Sequence, residues 1–166
     1  MSAPPSSRLR APLMALVRLL AAISLLAVAG VHIQLYIVED YRVIPTIGPL
    51  FLLTFIGGVM LGFYLLIPAS RNAGRFRLLV DAVAALAGWF VAAGALVGVL
   101  VSEHTPLFGW MEHGYRFAIV FAIVSEAVAI VALTILLVDG RVTARRNQGE
   151  RRGQTTTVAS TADSTG

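Results

Sequence analysis

Hydrophobic residues along this chain form four long blocks separated by short polar punctuation, and none of the blocks shows the strict alternation of a half-buried strand. The first block runs from about Pro12 to Val38 and is interrupted only by Arg18, His32 and Gln34. The second runs from about Gly48 to Pro68, the third from Leu78 to Ser102 and the fourth from Arg116 to Val138. Each is close to or above the roughly 20 residues that an α-helix needs to cross about 30 Å of hydrocarbon. The pattern predicts four transmembrane helices, over about 15–38, 48–68, 78–102 and 116–138. A cleavable signal has an apolar region of roughly 7 to 15 residues; the first block stays apolar for a full membrane thickness and reads as a retained span, with Arg18 reaching back to the interface. Ile44-Pro45-Thr46-Ile47-Gly48-Pro49 reads as a turn leading into the second helix, where a proline's missing N–H costs little.

Outside these blocks the pattern stops. Residues 1–11 are rich in proline and serine, and residues 141–166 carry arginines and a Thr/Ser run without apolar periodicity. Both read as disordered ends, since nothing in them offsets the entropy of ordering. The predicted architecture is an all-α membrane protein: a four-transmembrane-helix bundle over 12–140 with a disordered N-terminus and tail.

Composition agrees, at 57% hydrophobic and 13% charged over 166 residues. A soluble domain of that size needs far more polar surface, so a cytosolic globule is excluded. The net charge of +4 changes the picture through its distribution. All thirteen basic residues are arginine. Eleven fall before or near the start of the first block, between the second and third, or after the fourth; only Arg42 and Arg116 fall on the other side. Arginine-rich short loops stay in the cytoplasm, which predicts a plasma (inner) membrane protein with both termini inside. No basic stripe interleaved with aromatics points to nucleic acid. The expected partners are the lipid bilayer and a second copy or other membrane subunits. The absence of cysteine excludes disulfides and thiolate metal sites.

Helix association in lipid depends on small residues that let backbones approach. Gly58-x-x-x-Gly62 in the second helix and Gly94-x-x-x-Gly98 in the third, together with Asp81, Ala84, Ala85, Gly88, Ala92 and Ala95, predict contact faces, within one chain or between chains. Ala118, Ala122, Glu126 and Ala129 mark another in the fourth. Phe108, Trp110, Tyr115, Tyr36 and Tyr41 are expected to anchor at the interface. Asp81, near the start of the third helix, reads as a structural acid favoured by the helix dipole.

Candidate chemistry is sparse. Glu126 sits ten residues into the fourth block, about 15 Å deep, where a carboxylate must be neutral or partnered. His32, about 8 Å deep, and Gln34 are the candidates to form a buried polar site with it, although an axial offset of about 7 Å has to be closed. Ser24, Ser125, Thr54 and Thr134 offer hydroxyls for an alternative in which Glu126 only holds helices together. Glu103-His104 and Glu112-His113 form a repeated pair in the third connection that suits a divalent metal. No other cofactor is predicted, and no motif specifies catalysis.

The segments GVHIQLY (30–36), YRVIPTIGPLFLL (41–53) and PLFGWMEHGY (106–115) resemble a group of uncharacterised actinobacterial four-helix integral membrane proteins, over residues 15–138. The resemblance implies location and architecture and no reaction; it singles out His32, Tyr41, Arg42, Pro45, Gly48, Pro49 and Glu112. Three functions follow as expectations. The first is a non-enzymatic accessory, assembly or small oligomeric membrane component. The second is a small transporter or proton/ion-coupled carrier using Glu126 and His32, and the third a metal- or quinone-linked redox membrane protein.

Overall fold

The computed structural model describes residues 5–68, 75–102, 104 and 117–163, with side chains over 10–68, 76–102, 104 and 117–143. Four helices account for nearly all of it: α1 (Pro5–Val38), α2 (Ile47–Leu66), α3 (Arg75–Ser102) and α4 (Phe117–Asp163), with a short 3-10 turn at Tyr41–Val43 between α1 and α2. Each holds a stretch long and apolar enough to cross a membrane: Arg10–Val38, Ile47–Leu66, Phe76–Ser102 and Phe117–Thr143.

Local chemistry explains where the helices stop. Ile67 precedes Pro68 and is driven out of the helical region, to φ −68° and ψ 121°, so α2 ends at Leu66 rather than at the proline. Pro49 lies in the first turn of α2, where its missing N–H would have had no helical partner. The ends differ from expectation. α1 is already helical from Pro5, with Pro12 inside it, and α4 is helical through Asp163 where the polar pattern predicts a disordered tail. No proline lies between 117 and 163 to remove a backbone hydrogen bond from α4.

The helices pack in cyclic order α1–α2–α3–α4. α1 lies along both α2 and α4, α3 lies along α4, the α2–α3 seam is the slightest of the four, and the diagonal pair α1 and α3 barely touch. Neighbours run antiparallel. The start of α1, the end of α2, the start of α3 and the Asp139–Thr143 region of α4 therefore share one end, the arginine end. The Tyr41 turn lies at the other.

Two apolar layers form the core. The one toward the arginine end contains Ala21, Ala22, Leu25, Leu65, Ala85, Ala92, Ala129 and Leu133; the other contains Val31, Leu35, Tyr41, Ile47, Ile119 and Ala122. The closest helix contact is α1 on α2. A Cβ on Gly58 would lie 2.9 Å from the Leu25 carbonyl oxygen, and one on Gly62 would lie 2.8 Å from Leu26 Cγ. Gly88 of α3 faces Leu25 and Leu133 at 3.1 and 3.3 Å. Gly94 and Gly98 are no contact face within this chain, since a Cβ on either meets nothing within 4 Å among the described residues. At about 100° per residue, Gly94 points some 200° away from Ala92, which is fully buried. The stripe that packs is therefore Ala85, Gly88 and Ala92. The glycine pair in the same helix looks outward.

Tyr41 is a second departure. Only 4% exposed, it stacks on Phe51 at 5.0 Å between ring centroids and belongs to the core, not to an interfacial belt. The turn that carries it is tightly folded. Asp40 and Thr46 flank it at φ 57° and 72°, and Gly48 lies so close to the turn's backbone that a Cβ would come within 2.9 Å of the Arg42 carbonyl oxygen. Phe108, Trp110 and Tyr115 lie outside the described residues.

Candidate functional site

Glu126 is 1% exposed and lies on α4 between Ala122, in one apolar layer, and Ala129, in the other. It faces α1. His32 Nε2 lies 4.0 Å from Glu126 Oε1, so side-chain reach closes the axial offset expected from residue depths. His32 is itself 6% exposed. Its Nδ1 donates to the Val28 carbonyl oxygen at 2.8 Å. Because a carbonyl can only accept, Nδ1 carries the proton, and Nε2 is the nitrogen presented to Glu126. Four ångströms is longer than a hydrogen bond, and Glu126 Oε2 is enclosed with no hydrogen-bond partner among the described residues.

The hydroxyls offered by the sequence do not serve Glu126. Ser125 donates to the Phe121 carbonyl oxygen at 2.7 Å, and Thr134 donates to the Ile130 carbonyl oxygen at 2.7 Å while accepting from Trp89 Nε1 at 3.1 Å. Gln34 is exposed and takes no part, because two residues along α1 it points some 200° away from His32. On the side away from the arginine end, His32 meets the Phe51 ring at 4.9 Å, and Tyr41 covers Phe51 in turn. The result is one acid and one imidazole between two apolar layers, capped by two aromatic rings.

A second polar group, which sequence reasoning missed, lies at the arginine end. Asp81 Oδ1 accepts from Arg18 Nη2 at 3.2 Å and from the Tyr64 hydroxyl at 2.8 Å, and Arg77 Nε lies 3.5 Å from Asp81 Oδ2. Arg18 Nε also donates to the Leu65 carbonyl oxygen at 2.9 Å. Arg18, expected to reach out to the interface, instead turns into the bundle with its side chain 13% exposed. Asp81 thereby joins α1, α2 and α3. Nearby, Arg10 pairs with Asp139 at 2.5 Å, tying α1 to α4. The available signal was depth: Arg18, Tyr64 and Asp81 each lie within a few turns of the same end of their helices, and polar groups at that level must meet.

The metal expectation rests mostly outside the described residues, where Glu103, Glu112 and His113 fall. His104 is exposed, and its Nδ1 donates to the Leu100 carbonyl oxygen at 2.9 Å. Among the described residues no three His, Asp or Glu side chains group closely enough to hold a metal ion. A scan of family models, a search of curated proteins and a search of solved structures each return no match to this chain.

Proposed function

We propose that this chain is a multi-pass plasma-membrane protein, with both termini in the cytoplasm, in which Glu126 and His32 together hold one exchangeable proton as the working site of a proton- or ion-coupled process. The supporting observation is Glu126 Oε2, enclosed in an apolar bundle with no hydrogen-bond partner among the described residues, beside an imidazole 4.0 Å from the other carboxyl oxygen. A polar atom left in this condition costs stability unless the site works through another state. The orientation rests on the arginine distribution.

With the Nδ1 proton given to Val28, electroneutrality between apolar layers requires one further proton on the pair. It can sit on the carboxyl, leaving both groups neutral, or on Nε2, giving a carboxylate and an imidazolium. Both arrangements are electrically neutral overall. Losing that proton, or gaining another, places a net charge between apolar layers, and this is what would couple protonation to a rearrangement of α1 against α4. One carboxyl and one imidazole are too few ligands for a dehydrated metal ion. Four helices enclose little space, so the process involves a second copy or other membrane subunits.

The test is infrared difference spectroscopy of the full chain in lipid vesicles across a pH jump. The expected result is a carboxylic C=O band that is absent from Glu126→Gln and displaced in His32→Gln. No such band in the wild type, or the same band in Glu126→Gln, overturns the reading. Glu126 would then be packing glue, and the chain an accessory or assembly component acting through its outer surface.

A further inference from the structure

The two non-glycine residues at positive φ among the described residues both flank the Tyr41 turn. Asp40 sits at φ 57° and ψ 23°, a left-handed conformation that aspartate tolerates. Thr46 is a different case. At φ 72° and ψ −47° it is the centre of a γ-turn, closed by Ile47 N–H donating to the Pro45 carbonyl oxygen at 2.9 Å, and this form of the turn is rare and strained. A β-branched side chain raises the strain, and the Thr46 side chain makes no capping hydrogen bond to α2 that would offset it. Backbone in this condition persists only where its surroundings hold it there.

It is held at its two ends. Tyr41 and Ile47, 4% and 5% exposed, both belong to the apolar layer away from the arginine end, while Arg42, Val43, Pro45 and Thr46 between them are exposed. Tyr41 stacks on Phe51, and Phe51 lies against His32 at 4.9 Å. The turn therefore runs from the surface, through two rings, to the imidazole beside Glu126. The Asp40–Arg42 pair is internal to the turn and ties it to no helix.

The opposite end is built differently. From Glu126 to Asp139 is about 20 Å along α4, against about 14 Å to its start at Phe117. The longer way passes the layer of Leu25, Ala129 and Leu133. Beyond that layer Arg18 and Tyr64 hold Asp81 and Arg10 holds Asp139, each contact crossing between helices. Water approaching the pair meets helices tied by polar bonds on one side and a short strained turn on the other.

We infer that the Tyr41 turn is the gate of the His32–Glu126 pair: release of the Thr46 backbone lifts Tyr41 from Phe51 and admits water to the pair from the end opposite the arginines. The gate rests on the reading of that pair as a proton site.

The experiment times deuterium exchange at Glu126, as the shift of its carboxylic C=O band after the full chain in phosphatidylcholine vesicles is mixed with D2O. Tyr41→Ala is expected to exchange about tenfold faster than the wild type, the size of one lost aromatic contact. Leu133→Ala, which removes bulk from the layer on the arginine side, should exchange at the wild-type rate. Thr46→Gly keeps the test open should Tyr41→Ala not fold. Glycine adopts the same φ without strain, which steadies the closed turn, and exchange should slow about tenfold, within the strain such a residue holds. A wild-type rate in folded Tyr41→Ala, faster exchange in Leu133→Ala, or an unchanged or faster rate in Thr46→Gly overturns the gate and leaves the proton site standing. Absence of the band from the wild type ends the proton site itself, and the gate with it.

Discussion

The two polar groups of the bundle solve the same problem differently. At the arginine end, Asp81 Oδ1 collects Arg18 of α1 and Tyr64 of α2 at 3.2 and 2.8 Å, while Oδ2 faces Arg77 of its own helix at 3.5 Å. In the other half, Glu126 has one imidazole at 4.0 Å and an oxygen with no partner among the described residues. The first arrangement joins three helices and spans enough partners to hold them. The second joins two helices loosely between the two apolar layers, with Phe51 against His32 and Tyr41 stacked on Phe51. A carboxylate near a helix end can recruit charged partners that reach in from the interface. One in the middle has only what the facing helices present, and for Glu126 that is a single imidazole.

The sharpest way to break the contrast is Asp81→Ala. It leaves Arg18 without its counter-ion inside the bundle and is expected to cost about 3–5 kcal/mol, read as a lower unfolding midpoint in detergent or as loss of the folded chain. Gly58→Ala should come next. The added methyl would meet the Leu25 carbonyl at 2.9 Å and force α2 from α1, at about 1–3 kcal/mol; Gly94→Ala, with open space around it, should be neutral or slightly stabilising in the same assay. Glu126→Gln should change the midpoint by less than about 1 kcal/mol, since an amide replaces a carboxyl that makes no close hydrogen bond. If Glu126→Gln proves as damaging as Asp81→Ala, the two groups are alike and the contrast is lost. Smallest of all should be Arg42→Gln, which breaks an exposed pair with Asp40 worth about 0–1 kcal/mol.

The residues that were legible share a property: their environment follows from their own helix. Block lengths gave four helices of membrane-crossing length, because 1.5 Å per residue against a fixed thickness leaves little freedom. Glu126 was legible as an inward-facing group because no outward position tolerates it, and Gly58 and Gly62 as a contact. The identical motif at Gly94 and Gly98 faces away from the other described helices of this chain, since spacing says that two glycines share a face and not which way the face turns. Gln34 misled for the same reason, as did Tyr41, whose burial depends on a turn that folds back over Phe51.

The order and polarity of apolar blocks alone determined that this chain forms four helices fit to cross a membrane, and that a carboxyl lies deep within one of them. Only the tertiary structure decided that His32 faces Glu126, that Arg18 turns inward to Asp81, and that Tyr64 donates to the same carboxylate. Helix rotation and neighbour choice are set by the summed packing of all four faces, a property that no single segment encodes.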